Sequence, residues 1–329
     1  MKTLEEAELC FPQLLNSSCS KTTHPHSLSM LTYIILSSIS LLTVTLNLLV
    51  IISISHFKQL QTPTNLLLLS LAVSDFFVGH LMLFQIVLID GCWFLGDLMC
   101  AVYNVFNYII TSASIGTMVL ISVDRYVAIC DPLHYSTKVN QKRVQICVSF
   151  CWMCSTLCHS LLLKDNLEQP GKYNSCIGEC VIVIDYVAGL VDLLLSFIGP
   201  VTVIVVLYMR VFVVAVSQAR AMRSHIAAVT VQYSVKVTAK KSELKAARTL
   251  GVVVVVFLIC VCPYFCVALT GQDTMLNAST AAFVMCLFYF NSCLNPVIYV
   301  FFYPWFRKSV KLIVTLKILE ADSSDSNML

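Results

Sequence analysis

Residues 291–306 read NSCLNPVIYVFFYPWF. The apolar run around this stretch, 279–302, is long enough to cross ~30 Å of hydrocarbon as a helix. Pro296 stands inside it, where it removes one backbone hydrogen bond and bends the chain. Beside it Asn295 is a polar group at mid-depth, and a lone polar group in lipid needs a partner or a task. A bent apolar helix with an amide at its centre asks for other membrane helices to pack and pair with.

Six more apolar runs supply them, near 31–55, 64–89, 98–124, 144–163, 183–209 and 248–270. Lipid satisfies no backbone hydrogen bonds, so each run is expected to be a helix. The alternation of a membrane barrel is absent. Composition agrees: of the 329 residues 58% are hydrophobic and 12% charged, against about half and a quarter in a soluble domain. The chain therefore reads as an all-α membrane protein, a seven-helix bundle with short connections.

Of its 21 Lys and Arg, all but Lys2, Lys21, Lys164 and Lys172 fall in segments at or after the first, third, fifth and seventh runs. Cytoplasmic loops carry this excess, which puts the N-terminus outside and the C-terminus inside. MKTLEEAELC has no apolar core, so no cleavable signal peptide is expected. The net charge of +3 then reflects basic loops facing anionic lipid, not a nucleic-acid surface. Residues 1–27 form an extracellular segment, 28–303 the bundle, and 304–329 a cytoplasmic end. The tail EADSSDSNML is acidic and serine-bearing, and is expected to be disordered.

Sixteen cysteines divide by compartment. Cys10, Cys19, Cys92, Cys100, Cys176 and Cys180 fall on the oxidising side, where disulfides persist. The others lie in or near spans, where a thiol is mostly a small apolar residue. Asn16 and Asn277 begin glycosylation sequons, both on the outer face.

Inside the spans, Asn47, Asp75 and Asn295 lie near mid-depth. Asp75 with Asn295 suits water or a sodium ion; plain interhelical hydrogen bonding is the equal alternative. SVDRYVAIC ends the third span with Asp124, Arg125 and Tyr126, and Pro200 and Pro263 bend the fifth and sixth spans. Asp192, in GLVDLLLSFIGP, is a carboxylate surrounded by valine, leucine and phenylalanine, and an intramembrane acid is by default a functional residue.

Taken in order, Asn47, LAVSD in the second span, DRY at 124–126, Trp152, Pro200, Pro263 and NPVIY resemble the rhodopsin-like G-protein-coupled receptors over residues 28–310. Within them NSCLNPVIYVFFYPWF is similar to the trace amine-associated receptor pattern NSxxNPxxYxxxYxWF. LCFPQLLNSSC and CIGEC look like that family's outer cysteine patterns. The branch most resembled is the fish-expanded olfactory one, in which a fifth-span aspartate can take over amine recognition.

The resemblance implies a plasma-membrane receptor, not an enzyme, with a short amphipathic helix after the seventh span. It implies coupling to a stimulatory G protein and cyclic AMP, in olfactory neuron cilia. Arg125 would hold the inactive state with Glu243 as ionic partner. Asp124, Tyr126, Phe257, Asn295 and Pro296 would serve activation, and Tyr208 and Tyr299 would meet in the active form. Cys100 is expected to pair with Cys180, and Cys19 with Cys176, with Cys10 as competitor. The usual third-span aspartate is replaced by Asn107, which cannot neutralise a cation. Asp192 supplies the replacement, reversing the ligand so that its ammonium lies toward the fifth span. Such a contact contributes ~1.5–3 kcal/mol as a charge-assisted hydrogen bond. Its alternative is a protonated acid bonded to a neighbouring helix.

Tyr108, Thr111, Ser196, Tyr264, Phe265 and Tyr289 would complete the pocket. Asp185, one face-repeat earlier, would add a second carboxylate about 10 Å away and read a diamine, provided the fifth span starts early enough. Val261 stands where the family carries a tryptophan, which leaves Phe257 to transmit ligand contact. A transporter or channel is the competing class, against which stands the lack of inverted repeats. A non-signalling scaffold is the third possibility.

Overall fold

Each apolar run forms a helix in the computed structural model, which describes residues 8–14, 16–21, 26–88, 91–226, 251–267, 278–320 and 323–328. The seven membrane helices are α1 (His26–His56), α2 (Pro63–Val87), α3 (Asp97–Cys130), α4 (Gln141–Leu162), α5 (Tyr186–Leu193 continuing to Ile226), α6 (Gly251–Val267) and α7 (Ala278–Phe302). A further helix, α8 (Pro304–Val314), follows. Among the described residues no strand forms.

Local chemistry starts several of these helices. Thr62 caps α2, its side chain accepting from the Asn65 amide, with Pro63 at the first helical position where a missing N–H costs nothing. Asn140 caps α4 by accepting from the Arg143 amide at 2.9 Å. Asp185 caps α5 and accepts from the amides of Val187 and Ala188 at 3.1 and 3.3 Å. In α5 one turn, Leu194–Ile198, is a π-helix. It lies just before Pro200, whose ring would otherwise press on the carbonyl one turn back. The widened turn rotates what precedes it by about one residue, roughly 100°, and so sets the direction in which Asp192 projects.

The helices bury small and apolar groups inward and leave Ile34, Leu41, Phe150, Leu195, Phe212 and Phe283 exposed on the outside. In a membrane protein these residues meet lipid. Gly79 lets α2 approach α1 closely: a Cβ there would lie 2.8 Å from Val44 Cγ2 and 3.1 Å from the Val44 backbone nitrogen. The contact is locked by Ser40 Oγ donating to the Gly79 carbonyl at 2.7 Å. One apolar cluster, with Leu68, Leu71, Met118, Phe257, Tyr299 and Phe306, fills the half of the bundle nearer α8. A second, with Met82, Trp93, Tyr103 and Tyr289, fills the other half. α8 turns Trp305, Phe306 and Ser309 inward and Arg307, Lys308 and Lys311 outward.

Three disulfides close the end opposite α8. Cys100 is bonded to Cys180 and Cys19 to Cys176. Cys10 does not compete for Cys176; it pairs with Cys92. The N-terminal segment is laid against the loop before α5 by an isolated bridge between Ser18 and Ile177, which seats Cys19 at Cys176 and leaves Cys10 to the α2–α3 connection. The tail is a second correction. It folds back: Met328 is buried against the core, its amide donates to Gln59 Oε1 at 2.9 Å, and Lys58 meets Asp325 at 3.0 Å. Apolar burial and this ion pair offset the acidic, polar character that predicted disorder.

Candidate ligand pocket

Between α3, α5, α6 and α7, below the disulfides, lies a cavity of about 460 Å³. Asn107, Tyr108 and Thr111 line it from α3, Asp192 and Ser196 from α5, Tyr264 and Phe265 from α6, and Tyr289 from α7. Ile182 and Ile184 cover it from the loop fastened by Cys180. Asp185 is absent from the lining and exposed. Because α5 starts at Tyr186, Asp185 sits at the cap position outside the helix and spends its carboxylate on backbone amides. The shared helix face needed for a second anion is therefore missing.

Asp192 is held by two neighbours. Ser196 Oγ donates to its Oδ1 at 2.8 Å, and His159 Nε2 on α4 lies 3.0 Å from the same oxygen. His159 in turn has Nδ1 2.8 Å from the Ser155 carbonyl and its ring 5.8 Å from that of Tyr108. The histidine side chain is 4% exposed and the aspartate 19%. Among the described residues that line the cavity, Asp192 is the one carboxylate.

The sequence reading missed His159. The rule that singled out Asp192, a polar group inside a lipid span, applies to it equally. Gln85 was missed as well; its Oε1 accepts from Tyr103 Oη at 3.0 Å and from Tyr289 Oη at 3.5 Å.

An aromatic chain runs inward from the pocket. Phe265 stacks on Phe197 with centroids 4.0 Å apart and planes at 9°. Tyr264 meets Phe265 edge-on and Phe288 at 4.8 Å. Below it Val261 and Phe257 are both buried in the core cluster.

Deeper in the bundle, Asn295 Nδ2 donates to Asp75 Oδ2 at 2.8 Å and Asn47 Nδ2 to the Ser292 carbonyl at 3.0 Å. Asp75 Oδ1 and the side-chain oxygens of Asn47, Asn291 and Asn295 are buried without a hydrogen-bond partner among the described residues. Hard oxygen donors of this kind fit a small alkali cation.

At the α8 end, Arg125 Nε donates to Asp124 Oδ2 at 2.9 Å, and a second guanidinium nitrogen binds both Asp124 and Thr64. Tyr135 Oη donates to Asp124 Oδ1 at 2.8 Å. Burial, with the Asp124 carboxylate adding, pushes the Tyr135 phenol up. Hydrogen bonds from Lys138 and His134 hold the half-buried Asp131 below the usual carboxylate range. Arg125 is thus held by Asp124 of its own helix and by Thr64 of α2. Tyr126 packs beside Ile129 and Val211. The hydroxyls of Tyr208 and Tyr299 are buried and without a partner among the described residues. Glu243 and Asn277 lie outside the described residues, whereas Asn16 is exposed.

Residues 46–299 match the family described as 7 transmembrane receptor (rhodopsin family). Trace amine-associated receptor 13c of Danio rerio is 40% identical, over 98% of this chain and 97% of that protein. Trace amine-associated receptor 8a of Rattus norvegicus is 38% identical, and receptor 4 of Mus musculus 35%, each over 98% of this chain and 96% of its own length.

Proposed function

This chain belongs to the trace amine-associated receptors of the rhodopsin family, and from that premise we propose that it senses a small amine whose ammonium sits on Asp192. Family membership makes it a multi-pass plasma-membrane receptor for amines that works through a heterotrimeric G protein. The observation that carries the finer reading is the lining itself: Asp192 enters the cavity on α5, while the α3 position opposite is the neutral Asn107. A cation in a partly desolvated site needs an anion, and Asn107 supplies only a hydrogen bond.

The amine's hydrocarbon body then points toward α3, α6 and α7, where Tyr108, Tyr264 and Phe265 offer ring faces for packing and cation–π contact. With Asp185 outside the cavity, a single ammonium suffices. Residues 1–27 face the exterior and 304–329 the cytoplasm, where Asp124, Arg125, Tyr126 and Glu243 serve G-protein coupling. Tyr208, Phe257, Asn295, Pro296 and Tyr299 carry the rearrangement between. Asp75, with Asn47, Asn291 and Asn295, would hold a sodium ion in the inactive bundle. The G protein is of the stimulatory type, the signal is cyclic AMP, and the setting is the olfactory sensory neuron.

The test is cyclic AMP in cells expressing wild type or Asp192→Asn, against straight-chain mono- and diamines and phenethylamine, with surface staining as control. The variant at equal surface level should lose response by ~10-fold or more, the size of a lost charge-assisted contact. An unchanged response in the variant refutes the placement.

A further inference from the structure

We propose that His159 is the built-in counter-cation of Asp192, and that an amine arriving there expels one proton from the pair, coupling amine recognition to external pH. The inference rests on the reading of Asp192 as the ammonium site.

Hydrogen-bond geometry fixes the proton count. The Ser155 carbonyl, 2.8 Å from His159 Nδ1, can only accept, so Nδ1 carries hydrogen. Nε2 lies 3.0 Å from Asp192 Oδ1, and that contact requires a hydrogen between two otherwise electron-rich atoms. It resides on Nε2, as imidazolium facing carboxylate, or on Oδ1, as a neutral pair. In both distributions the pair holds one proton more than a bare carboxylate beside a neutral imidazole. With the histidine side chain 4% exposed, water has little room to intervene.

A bound ammonium brings its own N–H donors and a full positive charge. If the imidazolium stayed, two cations would share one carboxylate in a low-dielectric site. If the proton stayed on Asp192, the ammonium would lose its anion. The proton therefore leaves to water: the ammonium and the protonated pair become an ammonium–carboxylate contact, a neutral His159 whose bare Nε2 accepts an ammonium N–H in place of the lost hydrogen, and a released hydrogen ion, with charge conserved.

Among the described residues, the other titratable groups facing the pair are phenols and thiols. Tyr108 faces it from α3, with Tyr103, Tyr264 and Tyr289 elsewhere on the cavity wall. Cys151, Cys154 and Cys158 of α4 line a neighbouring apolar cavity that shares His159 and Asp192 as wall. Lys164, just past α4, is exposed and pairs with Glu168. Phenols and thiols ordinarily ionise near ~10 and ~8.5, and an alkylammonium near ~10.4 as in lysine. Each amine bound releases one hydrogen ion, so a rising hydrogen-ion concentration opposes binding. Affinity thus weakens by up to about tenfold per unit as pH falls.

The experiment is binding of the same amine panel to membranes carrying full-length wild type, His159→Gln, His159→Asn and Asp192→Asn, from about pH 7.5 down to 5.5. Wild type should weaken with falling pH and the two His159 variants should be flat, binding more tightly than wild type at the acid end. A flat wild-type profile, with Asp192→Asn inactive, overturns the proton coupling and leaves the ammonium site standing. Asp192→Asn binding like wild type, or no amine binding at any pH, overturns both. If neither His159 variant reaches the surface, proton release by purified wild type in weak buffer decides: about one per bound amine supports the coupling, and none overturns it.

Discussion

At the scale of single residues, two positions depart from the pattern that the resemblance implies, Asn107 on α3 and Val261 on α6. Val261 is 4% exposed and packed within the core cluster that includes Phe257, so an indole added there would have to be accommodated inside the core. Val261→Trp is expected to overpack by ~1–3 kcal/mol, read as reduced surface staining and a lower melting temperature of the purified receptor. Normal stability with a larger maximal response would show that the site had room for the missing ring. The aspartate was legible in the sequence because charge inside a lipid span stands out against valine and leucine. Asp185 was not, since its role turned on whether α5 begins one residue earlier or later. As the cap, its carboxylate turns to the backbone.

At the scale of elements, apolar length gave all seven helices, but not where each one ends: α3 runs past 124 to Cys130 and α5 past 209 to Ile226, beyond their apolar runs. The π-turn at Leu194–Ile198 was beyond such reading, because periodicity carries no mark of a widened turn; Pro200 was its only hint. Helix contacts were equally hidden. Gly79 and Gly116 look alike in sequence, yet a Cβ on Gly79 meets the Val44 backbone nitrogen at 3.1 Å as well as a side chain, whereas one on Gly116 meets only Cys151 Sγ, at 2.4 Å. A thiol can rotate away and a helix backbone cannot. Gly79→Val should therefore lower surface staining severely and Gly116→Ala mildly, by the ~1–3 kcal/mol of an overpacked contact. The reverse ranking would show that α1 and α2 are free to separate.

At the scale of the whole molecule, three disulfides fasten the N-terminal segment and the loop before α5 over the pocket, while Arg125 is held by Asp124 and Thr64 at the far end. Under the proposed function, Phe265, Phe197, Phe257 and the hydroxyls of Tyr208 and Tyr299, which have no hydrogen-bond partner among the described residues, are the material through which a ligand on Asp192 would shift the population of bundle states. The cysteines were legible by compartment from the residues, and the Cys100–Cys180 and Cys19–Cys176 pairs from the resemblance; Cys10–Cys92 was not, because six cysteines admit many pairings and proximity alone brought Cys10 to Cys92. The account stands or falls on which helix carries the anion. The decisive measurement is amine affinity of wild type, Asp192→Asn and the exchanged receptor Asn107→Asp with Asp192→Asn, at equal surface level. The account predicts that Asp192→Asn loses about tenfold or more and that the exchange recovers binding with the ammonium moved to α3. Asp192→Asn binding amines as tightly as wild type would contradict it.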